Sequence, residues 1–320
     1  MLLKVQKTGR THRAKNLPCQ DRCMTYSDGE GLVLAVADGH GGEPYVRSGF
    51  GARIACRMAV KVLSDASVPP EEYPARIKAG FDSCVEKHLR LRPLTESEKE
   101  KLGNNPENYA YGTTLMAAKL TQDGTYILHI GDGKIHAVRR NGEFFPELPE
   151  DPDCRGNSTS SLVTEDAQEK IRTAYYSEPA GCVILHTDGY QPDGEYPWMI
   201  YGNAGYGYSH ADLLAELEAG DRRGDDQTAV LFYDSENVDL EMFHNGLEKE
   251  AEKYRRKCRR ARLQRREKEL SAFLASALEK YKRLGRAEME EFKTRSIQPR
   301  YEEYMEIHRE LAELQMKEEG

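Results

Sequence analysis

What this chain lacks narrows the field first. In 320 residues no apolar run approaches the roughly 18 residues needed to cross a bilayer, and the opening "MLLKVQKTGR" has no apolar signal-type core. The seven cysteines are odd in number and scattered (Cys19, Cys23, Cys56, Cys84, Cys154, Cys182, Cys258), with no CxxC pair. A disulfide framework is excluded on that pattern. A zinc site at Cys19 and Cys23, four apart, would need further ligands at suitable spacing and is disfavoured. Positive charge is not in excess either: 46 Lys and Arg face 54 Asp and Glu, a net −8, which disfavours a protein built to coat nucleic acid. The expectation is a soluble, cytoplasmic protein with reduced thiols and no membrane segment.

What is there divides in two. Up to about Asp234, short apolar runs alternate with turns: "LVLAVAD" (32–38), "TTLMAAKL" (113–120), "TYILHIGD" (125–132), "KIHAVRR" (134–140), "CVILHTD" (182–188) and "TAVLFYD" (228–234) have strand length and composition. The links "QDG" (122–124), "GDG" (131–133) and "RNGE" (140–143) are so short that they imply antiparallel hairpins. Helical periods lie between the strands. One near 44–65 places Val46, Phe50, Ile54, Met58 and Val62 on a face, and one near 71–91 does so with Ile77, Phe81, Cys84, Val85 and Leu89. The fold class expected is α+β, with helices layered on antiparallel sheets.

After residue 238 glycine nearly vanishes and charge dominates, so a first domain is placed at 1–238 and a helical extension, coiled coil or hairpin, at 239–320. Leu270, Phe273, Leu274, Ala277, Leu278, Tyr281 and Leu284 keep helical spacing, as do Tyr301, Tyr304, Met305, His308, Leu311 and Leu314, with Pro299 expected at the turn between them. "KYRRKCRRARLQRREK" (253–268) holds ten Lys or Arg in sixteen residues. Only Tyr254 interleaves as an aromatic, which argues against a single-strand binding surface; a solvated helix face or an acidic protein partner is the better reading.

The chemistry sits at the strand ends. Asp38, Asp132 and Asp188 each close an apolar run, and Asp225 and Asp226 open one. Any single Asp-Gly is a good turn. Several carboxylates brought to neighbouring strand ends would repel one another unless a cation lay between them, and an all-oxygen donor set suits Mg²⁺ or Mn²⁺.

"VADGHGG" (36–42), "YGTT" (111–114), "GDGK" (131–134), "TDG" (187–189) and "GDDQTAV" (224–230), in that order, resemble the metal-dependent type-2C (PPM) protein serine/threonine phosphatases, and "THRAKNLPCQD" (11–21) resembles the N-terminal segment of bacterial members. The resemblance covers about residues 1–235 and implies a four-layer αββα sandwich with a binuclear metal centre. It implies metal contacts from Asp21, Asp38, Gly39, Asp188 and Asp225, with Asp38 bridging two Mn²⁺ or Mg²⁺ ions and Asp132 at a third position. It implies His40 as general acid, a role its ordinary pKa suits. It implies an arginine gripping the substrate phosphate, for which Arg10 and Arg13 are preferred over Lys15, with His12 as helper. The substrate implied is a phosphoprotein, the enzyme counteracting a serine/threonine kinase. A protein partner, or self-association, is expected through residues 244–320. Gln20 departs from the family's glutamate and brings oxygen without charge. The alternative is a weak or inactive phosphatase-like module that recruits a partner through its helices. The Pro-, Ser- and acid-rich stretch within 141–180 is expected as a surface loop shaping substrate access.

Overall fold

The computed structural model describes residues 1–154, 158–190, 198–220 and 224–319. They form two antiparallel sheets. One has four strands in the order β1 (Leu2–Lys7), β9 (Gln227–Tyr233), β8 (Ala180–His186), β6 (Lys134–Arg139). The other has five, in the order β2 (Arg22–Ser27), β3 (Leu32–Ala37), β4 (Leu115–Leu120), β5 (Thr125–Ile130), β7 (Arg172–Tyr176).

The run "LVLAVA" is apolar throughout because β3 is covered on both faces. Its odd members Val33, Ala35 and Ala37 pack with helices α2 (Ser48–Leu63) and α3 (Tyr73–Leu91). Its even members Leu34 and Val36 meet Val183, Leu185 and Val230 of the opposite sheet. The outer face of the four-stranded sheet is closed by Leu213 and Leu217 of α7 (His210–Ala219) and by Phe243 and Leu247. Four layers result, helix, sheet, sheet, helix.

Two local expectations change. The buried face of α2 holds the expected Met58 and Val62 together with the small residues Ala52, Ala55, Cys56 and Ala59, while Phe50 is 42% exposed; the alanines let the helix lie close on the sheet. The link "GDG" is no hairpin. β4 and β5 do pair across "QDG", but β5 and β6 belong to different sheets, so Gly131–Asp132–Gly133 carries the chain across the sandwich. Gly131 has φ 106°, and a Cβ there would stand 2.5 Å from Thr114 Cγ2. Only glycine fits so tight a crossing.

The chain divides into two compact units, Met1–Glu248 and Lys249–Gly320. Helix α8 (Leu240–Tyr281) begins in the first, where Phe243 is fully buried and Leu247 nearly so. In the second, Leu263 and Leu270 of α8 close on Ile307 of α10 (Gln298–Glu319), with Tyr304, Leu311 and Leu314 at the margin. Ion pairs join the same helices, Arg266 Nε to Glu303 Oε1 at 2.7 Å and Arg259 Nε to Glu310 Oε1 at 2.5 Å, beside a hydrogen-bond contact of His308 Nδ1 with Glu267 Oε1 at 2.8 Å. Part of the basic run is therefore paired with its own neighbour helix. The reversal lies at 282–285, not at Pro299. Pro299 sits in the first turn of α10, directly after a π-helical turn, Lys293–Ile297, which absorbs the missing N–H without ending the helix. No helix among the described residues is long and apolar enough to cross a membrane.

Candidate active site

The ends of β3, β5, β8 and β9 open on one cleft of about 700 Å³, whose described lining includes Asp38, Gly39, His40, Asp132, Asp188, Asp225 and Asp226. Asp38 and Asp225, 187 positions apart in the chain, thus share one wall.

The turn after β3 is fixed by its backbone. The Asp38 N–H donates to Thr114 Oγ1 at 3.0 Å, the Asp38 carbonyl accepts from Thr113 Oγ1 at 2.8 Å and from the Thr114 N–H at 2.9 Å, and the His40 N–H donates to the Gly112 carbonyl at 3.0 Å. This is what "YGTT" does: it ties the acid-bearing turn to β4. A Cβ at Gly39 would stand 2.7 Å from the Ser48 backbone and 2.9 Å from the Gln20 carbonyl. The glycine is required there by close packing against the start of α2.

Asp21 lies behind that wall and is absent from the described lining. It is fully buried, Thr187 Oγ1 donates to its Oδ2 at 2.8 Å, and its Oδ1 is a buried oxygen with no hydrogen-bond partner. Burial pushes its carboxyl up to about 7, with Asp226 adding to the effect and Thr187 opposing it. Asp38 is held well above the ordinary carboxylate range by burial first, then by Asp21, Asp188, Asp225 and Asp132. That order names the cluster: four carboxylates act on a fifth. His40 is 9% exposed, its ring meets Tyr45 edge-on at 5.0 Å, its Nε2 has no partner, and burial lowers it to about 4.

Among the described residues no three His, Cys, Asp or Glu side chains close on one point as a ready-made cation site. The carboxylates instead surround the cleft, and Asp21, Asp188, Asp225 and Asp132 raise the proton affinity of Asp38. An all-oxygen donor set, mutual repulsion and an orphaned buried oxygen all fit hard divalent cations.

The N-terminal residues fall out differently from expectation. Arg13 Nη1 donates to the Thr8 carbonyl at 2.6 Å, and neither Arg10 nor Arg13 belongs to the described lining. His12 does. Gln20 lines the cleft with its amide donating to Ser48 Oγ at 2.8 Å. Asp226, unremarkable in the sequence beside Asp225, is 2% exposed and accepts from the Gly9 N–H at 2.7 Å, the Gln20 N–H at 2.6 Å and His12 Nδ1 at 2.8 Å. Its only sequence signal was the doubled aspartate before an apolar strand. Residues 155–157 of the "PELPEDPDCRGNSTSS" stretch lie outside the described residues; Ser158 and Thr159 line the cleft, while Asp151 and Ser160 are buried.

Comparison with solved structures finds RsbX in complex with magnesium (18% identity, covering 72% of this chain and 92% of that one, TM-score 0.46). It also finds the catalytic domain of the serine/threonine phosphatase PstP with two manganese ions (18%, 72% and 96%, 0.46). A third is PppA, a regulatory component of T6SS in Pseudomonas aeruginosa (18%, 72% and 96%, 0.48). No curated protein matches the chain. The profile of one family, described as protein phosphatase 2C, matches residues 8–221. Spanning more than half of the chain and every strand-end aspartate but those opening β9, that match makes the chain a member of the protein phosphatase 2C family.

Proposed function

We propose that the protein hydrolyses phosphoserine and phosphothreonine in proteins with the help of Mg²⁺ or Mn²⁺. The observation that carries this reading is the half-buried Asp38 carboxyl, ringed by Asp21, Asp188, Asp225 and Asp132 at the edge of one cleft. Asp38, Asp188 and Asp225, with the Gly39 carbonyl, are the groups that would hold two ions, and Asp132 a third; Asp21 stands behind Asp38 and sets its charge. What such ions supply when bound is a water acidified enough to act as nucleophile near neutral pH.

The chain's own residues orient and move protons. Thr113 and Thr114 fix the Asp38 turn through three hydrogen bonds, so the carboxylate does not reorganise when charge arrives. His40 Nε2 is the proton-transfer atom for the leaving serine or threonine oxygen. Burial makes its acid form scarce near neutral pH but a strong donor when present. The alternative of an inactive binding module gains no support from the site, where Asp38, His40, Asp188 and Asp225 all line the same cleft.

The test is hydrolysis of a phosphothreonine peptide and of p-nitrophenyl phosphate with and without added Mn²⁺ or Mg²⁺. Turnover that appears only with the ions is expected. Activity persisting in excess EDTA, or none with either ion, rejects the reading.

A further inference from the structure

An anionic ester entering this cleft meets Asp38, Asp132, Asp188, Asp225 and Asp226, and among the described lining residues there is neither arginine nor lysine. The basic side chains of the lining are two histidines, His12 and His40. His12 sits on α1 (Arg10–Ala14), a single turn after β1, and its side chain is 14% exposed. Its Nδ1 lies 2.8 Å from Asp226 Oδ2, the ring's one hydrogen bond among the described residues. Asp226 is itself immobilised by the backbone N–H groups of Gly9 and Gln20. The ring is therefore braced on one edge by a buried carboxylate, and its second nitrogen, Nε2, is the polar atom left for the cleft.

We propose that His12 is the substrate-phosphate ligand of this phosphatase, donating Nε2–H to a phosphoryl oxygen while Asp226 holds Nδ1. The inference rests on the phosphatase reading above. Four observations carry it: the brace, the position on the cleft wall, the absence of arginine and lysine among the described lining residues, and the turning of Arg13 to the Thr8 carbonyl. An imidazolium donates from both nitrogens, so one N–H can be fixed by Asp226 and the other given to an anion. Asp226 acts only by positioning; it does not touch the ester. Because Asp226 accepts the Nδ1 proton in its hydrogen bond, a neutral ring would present a lone pair at Nε2, so the donor role belongs to the doubly protonated ring.

The experiment uses the full chain with saturating Mn²⁺ and compares wild type with His12→Gln and His12→Arg. It reads kcat and KM on p-nitrophenyl phosphate, the inhibition constant of inorganic phosphate, direct phosphate binding by calorimetry, and the melting temperature. Removing one charge-assisted hydrogen bond in His12→Gln should weaken phosphate and raise KM by about tenfold, with a much smaller change in kcat. His12→Arg, which restores a forked cation, should recover most of the loss. Unchanged KM and phosphate affinity in His12→Gln overturn the proposal. So does an equal loss in both variants together with a lowered melting temperature, which marks a purely structural ring. A wild type that turns over no ester rejects the phosphatase reading alone, because calorimetry still reports on His12: weaker phosphate binding in His12→Gln upholds the ligand role, and undiminished binding, or none in wild type, overturns it.

Discussion

Asp21→Asn tests the electrostatics of the site without removing a residue from the cleft wall. The Asp21 carboxyl is fully buried, has one oxygen on Thr187 and one with no partner, and is pushed from 3.8 up to about 7, by burial before all else. A carboxyl raised in the fold is bound to its proton more tightly there than in the unfolded chain. Below about pH 4 both states hold the proton and nothing is lost. As pH rises from there to about 7 the unfolded chain ionises first, and stability falls; above about 7 the loss is complete. Three units at about 1.36 kcal/mol each give ~4 kcal/mol, a ceiling because the Asp38 carboxyl beside it competes for the same proton. Between pH 5 and 7 two of those units are lost, ~2.7 kcal/mol, so at ~2–4 °C per kcal/mol for a unit of this size the chelator-treated protein should melt ~5–10 °C lower at pH 8 than at pH 5. Asparagine can still accept from Thr187, never ionises, and should narrow that gap by raising the pH 8 value. Saturating Mn²⁺ should return stability to wild type at pH 8, since a cation bound only by the folded, ionised cluster favours it, and should return less to the variant. Equal melting of chelated wild type at both pH values, or a gap that Asp21→Asn leaves untouched, would refute the reasoning.

The other expectations concern separate parts of the molecule. Asp38→Asn and Asp188→Asn should each lose most Mn²⁺-dependent turnover while the metal-free fold survives, since repulsion is relieved; near-wild-type rates at saturating ion in both would show that the cluster is misassigned. His40→Ala should slow a phosphoserine peptide ~10²-fold or more and p-nitrophenyl phosphate much less, because an alkoxide needs a proton and p-nitrophenolate scarcely does; equal losses on the two esters tell against proton transfer. Glu98, forked onto Arg47 by two 2.8 Å bonds, is drawn down to about 2 by that guanidinium, so its contribution is present above about 4.5 and lost as pH falls toward 2. Glu98→Gln should cost ~1–3 kcal/mol in urea unfolding at pH 7 and almost nothing at pH 2; a pH-independent cost would contradict the pairing. A chain ending at Glu248 should fold cooperatively, whereas Leu247→Ala in the full chain should cost ~2–5 kcal/mol; an insoluble shortened chain would show that the first unit depends on the second.

The layers and the acid cluster were legible because their signals are local. A strand buried on both faces must be apolar at every position, as "LVLAVA" is, and an aspartate directly after such a strand is delivered to the sheet edge whatever the rest of the chain does. What could not be read was anything depending on which edge meets which. The length of "GDG" was taken to imply a hairpin, but loop length limits only the distance between strand ends. In a sandwich the nearest strand end can belong to the other sheet, as β6 does after β5 here. The phosphate grip shows the same limit: Arg10 and Arg13 were preferred by side-chain chemistry, while neither belongs to the described lining of the cleft and His12 does.

That crossing at Gly131–Gly133 also explains why fold and site cannot be separated here. Asp132 reaches the cleft only because β5 ends in one sheet and β6 begins in the other, so the acid stands over the seam between them. Asp38 comes from the five-stranded sheet, and Asp188 and Asp225 from the ends of β8 and β9 in the four-stranded one. A charge cluster drawn from both sheets repels across the same seam that the inner core, Leu34, Val36, Val183, Leu185 and Val230, holds shut. Cations placed among the carboxylates would turn that repulsion into attraction, and so clamp the two sheets at the one end where apolar packing gives way to charge.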